Sequence, residues 1–354
     1  MPVINPNVRI LGPFGEKLRY ALRQHSLAGY LKSRVLWNWY PRLKLASRFP
    51  GHVDIETCSL CQMHCPMCFQ TVRDDVRTGI MDPALFRRIM AEVARERPCS
   101  IRLSWRGECL LHPEFPDLLR HARQVYSGNI SFLTNGLRLD ESLLENLVDT
   151  RTDYIVISAD GVGATYEAVR RPGNFSDLQD KLRTLQEIKR RRGSQWPAVR
   201  INAVSLWFRE GEQEEFQRVF SPLADRILVG STLNNFAAYP VPHDPARFCA
   251  SPWQRLLVRH DGSVHPCCDD YLGLYPLGDA TTDSLRDIWR GKRLAALRMA
   301  IAAGRRLDTG LCRAMDCGVD QNPTEQDPAF RSLLRAQVVK DRGPDSPLLR
   351  YLEP

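Results

Sequence analysis

The stretch ETCSLCQMHCPMCF, residues 56–69, follows a short β-branched run and holds four of the eleven cysteines of the chain. Cys61, Cys65 and Cys68 have the spacing C-x3-C-x2-C, and Cys58 lies three residues upstream. Four thiolates would close a tetrahedral zinc site or ligate an iron-sulfur cluster fully. Three would leave one iron of a four-iron cube open to a small molecule. The spacing alone is compatible with both ligand sets.

The composition is that of a globular protein. The 354 residues include 49 Lys plus Arg and 41 Asp plus Glu, for a net charge of +8, and 43% of them are apolar. No run approaches the roughly 20 apolar residues of a membrane span, and no secretion signal is recognisable, so we expect a cytoplasmic protein without a membrane partner. Because the basic residues are interleaved with acids, we do not expect nucleic-acid binding. Cysteines in this setting indicate metal or redox chemistry rather than disulfides.

Outward from the cysteine loop, strand-like and helix-like segments alternate. Six β-branched runs alternate with five segments that have helical spacing, which predicts parallel strands with helices outside. Six units are fewer than the eight of a closed barrel. We therefore predict an α/β fold with an open, partial (β/α)6 barrel like part of a TIM barrel, and a doubly wound sheet is the alternative. The predicted strands are 52–56, 100–105, 130–133, 154–158, 199–204 and 226–229, and the predicted helices are 83–95, 114–125, 141–148, 165–170 joined to 177–191, and 213–220.

The chain is expected to divide into four parts. Residues 1–49 form a helical or irregular extension, 50–240 the barrel, 245–320 a small domain of short strands and cysteines, and 321–354 a tail with one helix. The small domain has modest apolar content, so we expect a metal to stabilise it.

The run Cys61-Gln-Met-His-Cys65-Pro-Met-Cys68-Phe69 resembles the signature of the radical S-adenosylmethionine (radical SAM) enzymes. The resemblance implies that the three cysteines hold a 4Fe-4S cluster whose fourth iron chelates S-adenosylmethionine. In that family the reduced cluster cleaves this cofactor to a 5′-deoxyadenosyl radical, which removes a hydrogen atom from the substrate. A flavodoxin- or ferredoxin-type electron donor is implied as a partner.

Three further segments are similar to cofactor-binding segments of the same family. They are Arg106-Gly107-Glu108 after the second strand, Thr134-Asn135-Gly136 after the third, and Ser158-Ala159-Asp160-Gly161 after the fourth. The carboxylate of the Gly-Glu motif would meet the amino group of the cofactor. The resemblance implies cofactor contacts for Gly107, Glu108, Asn135, Ser158 and Arg170, and ordinary turn chemistry is the alternative.

The later cysteines resemble those of the SPASM or shorter twitch domain that follows many radical SAM cores. The matching pattern covers about residues 249–318 and includes Trp253, an Asp-Gly turn and Val264-His-Pro-Cys267-Cys268. Because a full SPASM domain has more cysteines than the five here, one auxiliary 4Fe-4S cluster is implied. Its implied ligands are Cys249, Cys267, Cys312 and Cys317, with Cys268 as an alternative to Cys267. A structural zinc site would use the same residue type.

Three reactions are compatible with this domain pair. A substrate radical that is deprotonated and loses an electron to the auxiliary cluster gives dehydrogenation, for instance of an alcohol to a ketone. Hydrogen return from a thiol gives epimerisation, for which Cys109 and Cys268 are candidate donors, although a buried cysteine often only packs. Radical attack within a peptide gives a crosslink.

The substrate class is expected from the relatives of this domain pair, which act on peptides, on sulfatase residues, or on sugars and aminocyclitols. Peptide-modifying relatives often begin with a leader-binding domain, whereas about 50 residues precede the first strand here. We therefore expect a small hydroxylated substrate, a sugar or aminocyclitol, in natural-product or antibiotic biosynthesis. Maturation of a ribosomal peptide or protein side chain is the alternative. A zinc-stapled nucleic-acid-binding protein, from another class, would not need six strand-helix units.

Overall fold

The computed structural model describes residues 8–11, 27–230, 248–314, 335–336, 339, 343–345 and 349. Ten strands of this part of the chain form one sheet. The strands are β1 (Val8–Leu11), β2 (His52–Ile55), β3 (Ser100–Arg102), β4 (Asn129–Thr134), β5 (Tyr154–Ser158), β6 (Ala198–Val204), β7 (Arg226–Gly230), β8 (Arg255–Val258), β9 (Ser263–His265) and β10 (Gly278–Asp279).

Strands β2 to β7 are parallel and lie side by side in chain order. This confirms the predicted (β/α)6 arrangement. The doubly wound alternative is wrong, because the order of these strands never reverses as it does in doubly wound sheets.

Helices connect the strands within minor shifts of the predicted bounds. The α-helices are α1 (Leu27–Arg34), α2 (Tyr40–Arg42), α3 (Phe69–Val72), α4 (Pro83–Glu96), α5 (Phe115–Val125), α6 (Glu141–Asp149), α7 (Ala164–Val169), α8 (Phe175–Arg191), α9 (Glu212–Phe220), α10 (Ser251–Gln254), α11 (Leu285–Arg290), α12 (Lys292–Ala302) and α13 (Gly310–Ala314). A π-helix spans Val35–Trp39, and 3-10 turns span Cys109–Leu111, Ser205–Trp207 and Arg306–Asp308.

Local sequence explains where these helices begin and which side they bury. Asp82, Asp140 and Asn174 cap α4, α6 and α8, each accepting a hydrogen bond from a backbone N–H of the first turn. Alternate strand residues, such as Val53 and Ile55 of β2, pack with the helices in one apolar core. The other residues of strands β2 to β8 point away from the helices, and we call this side the inner face.

The C-terminal strands continue the barrel sheet. Strand β8 pairs in parallel with β2, and β8, β9 and β10 then form an antiparallel meander. At the opposite edge β1 pairs antiparallel with β7. Short strands near Leu256–Arg259 and Val264 are predicted by the sequence, but their pairing with β2 is not. The four-part division stays a prediction, and the tail helix predicted over 329–339 lies almost wholly outside the described residues.

No helix in the described ranges combines the length and the apolar character needed to cross a bilayer.

Candidate metal centres and cofactor site

The first cysteine loop leaves the carboxyl end of β2. The charges of Cys61 and Cys65 act on the Cys68 thiol, so the three side chains face a common region. Burial raises the pKa of Cys61, and it raises that of Cys68 to about 12. Buried thiols of this kind ionise when a metal binds them, because the metal stabilises the thiolate.

The spacing of the three thiols bears on what they can hold. A zinc ion bound at about 2.3 Å requires sulfur atoms about 3.8 Å apart. Within the described ranges, only Cys267, Cys268 and Asp269 bring their ligand atoms within 4.8 Å of one another. Cys61, Cys65 and Cys68 are therefore set wider than a single ion requires, which fits a four-iron cluster held by thiolates.

Cys58 lies three residues before Cys61, whose charge also acts on its thiol. It is fully buried, and its backbone forms an isolated bridge with Ile80. Burial raises the pKa of its thiol to about 11. The neighbouring loop is anchored by the Gln70 side chain, whose Nε2 donates to the Ser59 carbonyl at 2.7 Å.

The Gly-Glu segment packs directly on the cysteine loop. The Glu108 N–H donates to the Leu60 carbonyl at 2.7 Å. Gly107 has a φ of +65°, and a Cβ at this position would lie 2.3 Å from the Ser59 backbone. Only glycine tolerates both the left-handed backbone and the close approach.

Glu108 joins the second and third strand ends. Its carboxylate accepts hydrogen bonds from the Thr134 hydroxyl at 2.7 Å and from the Asn135 N–H at 2.6 Å. Burial raises the pKa of Glu108 to about 7 despite these donors. The Asn135 amide in turn lies 3.9 Å from the Cys61 sulfur. A cation that approaches such a carboxyl group favours its ionised form.

Arg170 connects the end of β5, through Asp160, to the cysteine loop. Its Nη1 lies 3.6 Å from the Cys65 sulfur, and its Nη2 is 2.5 Å from the Asp160 carboxylate. Ser158 ends β5 beside Asn202 of β6, and no hydrogen bond joins it to the cysteine loop within the described part of the chain. The structure thus groups Cys61, Cys65, Glu108, Asn135 and Arg170, and Ser158 ends β5 next to Asn135, because Thr134 and Ile157 are register partners.

The second cysteine group surrounds one pocket. Cys249, Cys267 and Cys312 line it together with Asp269 and Arg306. Burial raises the pKa of Cys249 to about 12. Cys317 lies outside the described residues, so three of the four implied ligands can be placed.

Cys268 lies beside this pocket, with its sulfur within 4.8 Å of the Cys267 sulfur. The Cys267 thiol hydrogen-bonds the Cys268 sulfur, which lowers the pKa of Cys268 and raises that of Cys267. The charges of Arg255, Asp54 and Arg102 also act on the Cys268 thiol. Its carbonyl accepts a hydrogen bond from Trp105 Nε1 at 3.0 Å.

Cys109 occupies a different environment. It is fully buried in the apolar core formed by strands and helices, and its Sγ lies 3.4 Å from the Leu133 carbonyl. This position favours the packing interpretation of Cys109.

A buried ion pair connects the two cysteine loops, and sequence reasoning missed it. Arg106 forms two hydrogen bonds with the Glu56 carboxylate, at 2.7 and 2.9 Å, and also donates to the Tyr271 carbonyl. Tyr271 stacks on Phe69, which follows Cys68, with ring centroids 4.5 Å apart. The only sequence signal was that Arg106 directly precedes the Gly-Glu motif.

Residues 55–197 match the family model of the radical SAM superfamily, and residues 249–318 match that of the SPASM iron-sulfur cluster-binding domain. The chain belongs to the radical SAM superfamily and carries a C-terminal SPASM domain. These two domains imply a 4Fe-4S cluster with S-adenosylmethionine and an auxiliary cluster. The donor sets described above fit both groups.

Radical SAM proteins of different function are similar to this one in sequence. A tungsten-containing aldehyde ferredoxin oxidoreductase cofactor-modifying protein from Pyrococcus furiosus is 22% identical over 297 residues, covering 70% of this chain and 83% of that protein. An S-adenosyl-L-methionine-dependent 2-deoxy-scyllo-inosamine dehydrogenase from Niallia circulans is 23% identical over 276 residues, covering 74% of this chain and 90% of the dehydrogenase.

Solved radical SAM structures share the fold. BtrN in complex with AdoMet and 2-DOIA superposes with a TM-score of 0.54 at 17% identity, over 80% of this chain and 97% of BtrN. SuiB from Streptococcus suis, bound to precursor peptide SuiA, gives a TM-score of 0.56 at 13% identity, over 84% of this chain and 76% of SuiB.

Proposed function

We propose that this radical SAM enzyme oxidises a secondary alcohol of a small hydroxylated substrate, a sugar or aminocyclitol, to a ketone. The observation that carries the proposal is the placement of the second cysteine group beside the barrel: β8 pairs with β2, and the Cys268 carbonyl accepts a hydrogen bond from Trp105, after β3, at 3.0 Å. An electron acceptor held there lies beside a substrate in the barrel. The similarity to the 2-deoxy-scyllo-inosamine dehydrogenase over 74% of this chain supports the same assignment.

Cys61, Cys65 and Cys68 would hold the 4Fe-4S cluster, which with S-adenosylmethionine supplies a 5′-deoxyadenosyl radical that removes a hydrogen atom from the substrate. Glu108 would bind the ammonium of the cofactor as a carboxylate, and Asn135 and Arg170 would orient it beside the cysteine loop. Gly107 would allow the backbone to approach that loop. Ser158 would contact the cofactor from the end of β5.

Cys249, Cys267, Cys312 and Cys317 would hold the auxiliary cluster as a closed site. The pocket lined by the first three supports this set and supports Cys267 over Cys268 as a ligand. Cys268 would then be a thiol that faces the substrate.

Epimerisation is the second candidate reaction, and the same thiol favours it. A thiol on the inner face can return a hydrogen atom to a substrate carbon. Cys268 suits that role better than Cys109, which is enclosed in the apolar core. Peptide maturation is an alternative substrate class, represented by SuiB among the structures of similar fold.

The test compares single cysteine variants of the anaerobically reconstituted enzyme. We expect Cys61→Ala to abolish deoxyadenosine formation from S-adenosylmethionine under dithionite, and Cys312→Ala to retain part of it while losing substrate oxidation. Cys99→Ala, outside both groups, is the matched control. Normal deoxyadenosine formation by Cys61→Ala would contradict the assignment of the first cluster.

The reaction outcome has its own measurement. Each substrate turned over should give one oxidised product per deoxyadenosine if the reaction is dehydrogenation. An isomeric product that has the mass of the substrate in H2O, gains one deuterium in D2O and no longer forms in Cys268→Ala would replace dehydrogenation by epimerisation.

A further inference from the structure

The inner face of the barrel carries an excess of positive charge. Arg102, Arg200, Arg226 and Arg255 lie there on β3, β6, β7 and β8. Asp54 of β2 is the single carboxylate among the inner-face residues of these strands. The strand residues on either side of these positions, such as Ile101 and Ile201, pack in the core instead. Among the strand residues of this face that the structure describes, guanidinium groups therefore outnumber carboxylates.

The carboxylate of Asp54 is already paired with side chains of the protein. Its carboxylate is 2.7 Å from Arg102, 3.3 Å from Arg255 and 3.0 Å from His52. Although burial opposes ionisation, Arg102, His52 and Arg255 hold the pKa of Asp54 well below its usual range. Burial lowers the pKa of His52, which keeps the ring neutral near pH 7. Asp54 therefore offers no free acceptor to an ammonium group of a substrate.

Arg200 and Arg226 form a second cationic site across the barrel. They are register partners on neighbouring strands β6 and β7. Like charges placed directly opposite each other destabilise a sheet. Arg200 lies over the Tyr154 ring, 5.7 Å from its centroid, and among the described residues it has no acidic partner. The Nε atoms of Arg200, Arg102 and Arg255 are buried and make no hydrogen bond within the described ranges.

The location of this face indicates what its positive charge could bind. At one side lies the second cysteine group, joined to the barrel by the pairing of β8 with β2 and by the hydrogen bond from Trp105 Nε1 to the Cys268 carbonyl at 3.0 Å. At the carboxyl ends of the strands lies the cysteine loop with Glu108 and Arg170. A substrate that contacts both the second cysteine group and the site formed by the cysteine loop must lie against the inner face between them. Guanidinium groups there bind carboxylate or phosphate oxygens through paired hydrogen bonds.

We propose that the substrate carries a phosphate or carboxylate group, bound on the inner face by Arg200 and Arg226. The proposal rests on the proposed function and narrows it to sugar phosphates and sugar acids. An aminocyclitol without an anionic group would bring an ammonium to a cationic surface whose one carboxylate is taken. Such a substrate is disfavoured.

The test is calorimetric titration of the reconstituted holoenzyme with four probes. Glucose 6-phosphate and glucuronate represent the two anionic groups, glucose is neutral, and glucosamine is cationic. We expect at least one anionic probe to bind, more weakly as salt is raised, and glucose and glucosamine to give no measurable binding. Whichever of the two anionic probes binds more tightly shows whether the site prefers phosphate or carboxylate.

Variants localise the binding. Arg200→Gln should weaken the bound anionic probe about tenfold to a hundredfold, the range for loss of a hydrogen bond to a charged group, whereas Arg200→Lys, which keeps the charge, should lose less. Arg183→Gln is the matched control, because Arg183 is exposed on α8 and pairs with Asp180. Iron content and circular dichroism verify that each variant is folded and loaded.

Three results would overturn the proposal: binding of glucosamine or glucose as tightly as the anionic probes, no binding of either anionic probe, or equal binding by Arg200→Gln and Arg183→Gln. Calorimetry needs no turnover, so a wild-type enzyme that binds the anion but makes no deoxyadenosine would contradict only the proposed function.

Discussion

Replacement of Arg106 by methionine should destabilise the protein and loosen both cysteine loops. Arg106 and Glu56 have side-chain exposures of 1% and 0%, and their contacts measure 2.7 and 2.9 Å. The variant leaves the Glu56 carboxylate buried, with the His260 ring at 3.0 Å as its remaining side-chain partner among the described residues. It also removes the donor to the Tyr271 carbonyl.

The magnitude follows from these contacts. Removing one partner of a buried ion pair costs about 3–5 kcal/mol, because the other charge stays buried without compensation. At about 2.1 cal/mol/K of unfolding entropy per residue over this length of chain, that cost lowers Tm by roughly 4–7 °C. Glu56→Gln combined with Arg106→Met leaves no uncompensated charge, so the double variant should be no less stable than Arg106→Met.

The assay is an anaerobic thermal scan of the reconstituted enzyme with iron quantified in parallel. Arg183→Met is the control, since its exposed pair with Asp180 contributes at most about 1 kcal/mol. We expect iron content to fall in Arg106→Met, because the residue links the Gly-Glu segment to Tyr271 of the second loop. A Tm decrease under about 2 °C, or a double variant with the summed cost of both singles, would refute the reasoning.

Three further predictions concern the cofactor site. The affinity for S-adenosylmethionine should rise between pH 5.5 and 7, up to about tenfold per unit, because Glu108 with its raised pKa must ionise to pair with the ammonium; calorimetry should find a shallower rise in Glu108→Gln. Cys58→Ala should retain the iron content of the wild type, since the Cys58 side chain is enclosed in the core, and a loss of about four irons would place it among the ligands. Gly107→Ala should lower iron content and cost several kcal/mol in a thermal scan, whereas Gly304→Ala, at φ +70° with nothing within 4 Å, should cost about 1 kcal/mol; equal losses would argue against the close contact with Ser59.

The barrel could be predicted from the sequence because each of its strand-helix units is a local signal. The β-branched run at Tyr154–Ser158 and the helical spacing that ends at Arg191 both have the observed bounds. The pairing of β8 with β2 could not be predicted, because about 200 residues separate two short strands and neither contains a signal for the other. The antiparallel partner of β7 was missed for the same reason.

The candidate site also has residues that the sequence predicts and residues that it does not. Cys61, Glu108 and Asn135 are found from short motifs at the ends of consecutive strands, and parallel strands bring such ends together. Glu56, Arg106 and His260 are contacts between distant segments, so no motif contains them. The inner-face arginines had a readable signal. Arg200 alternates with Val199 and Ile201, and that period of two separates a buried face from a polar one.

Strand β2 explains why one substitution can affect every part of the site. It is hydrogen-bonded to β3 on one side and to β8 on the other, so it fixes the register of both neighbouring strands. Its carboxyl end continues into the first cysteine loop, β3 leads to Glu108, and β8 leads through β9 to Cys267. Asp54 and Glu56, on or directly after β2, bind Arg102, Arg106 and Arg255 from these neighbours. The charges around β2 therefore set the distance between the two cysteine groups, and with it the space in which a substrate must fit.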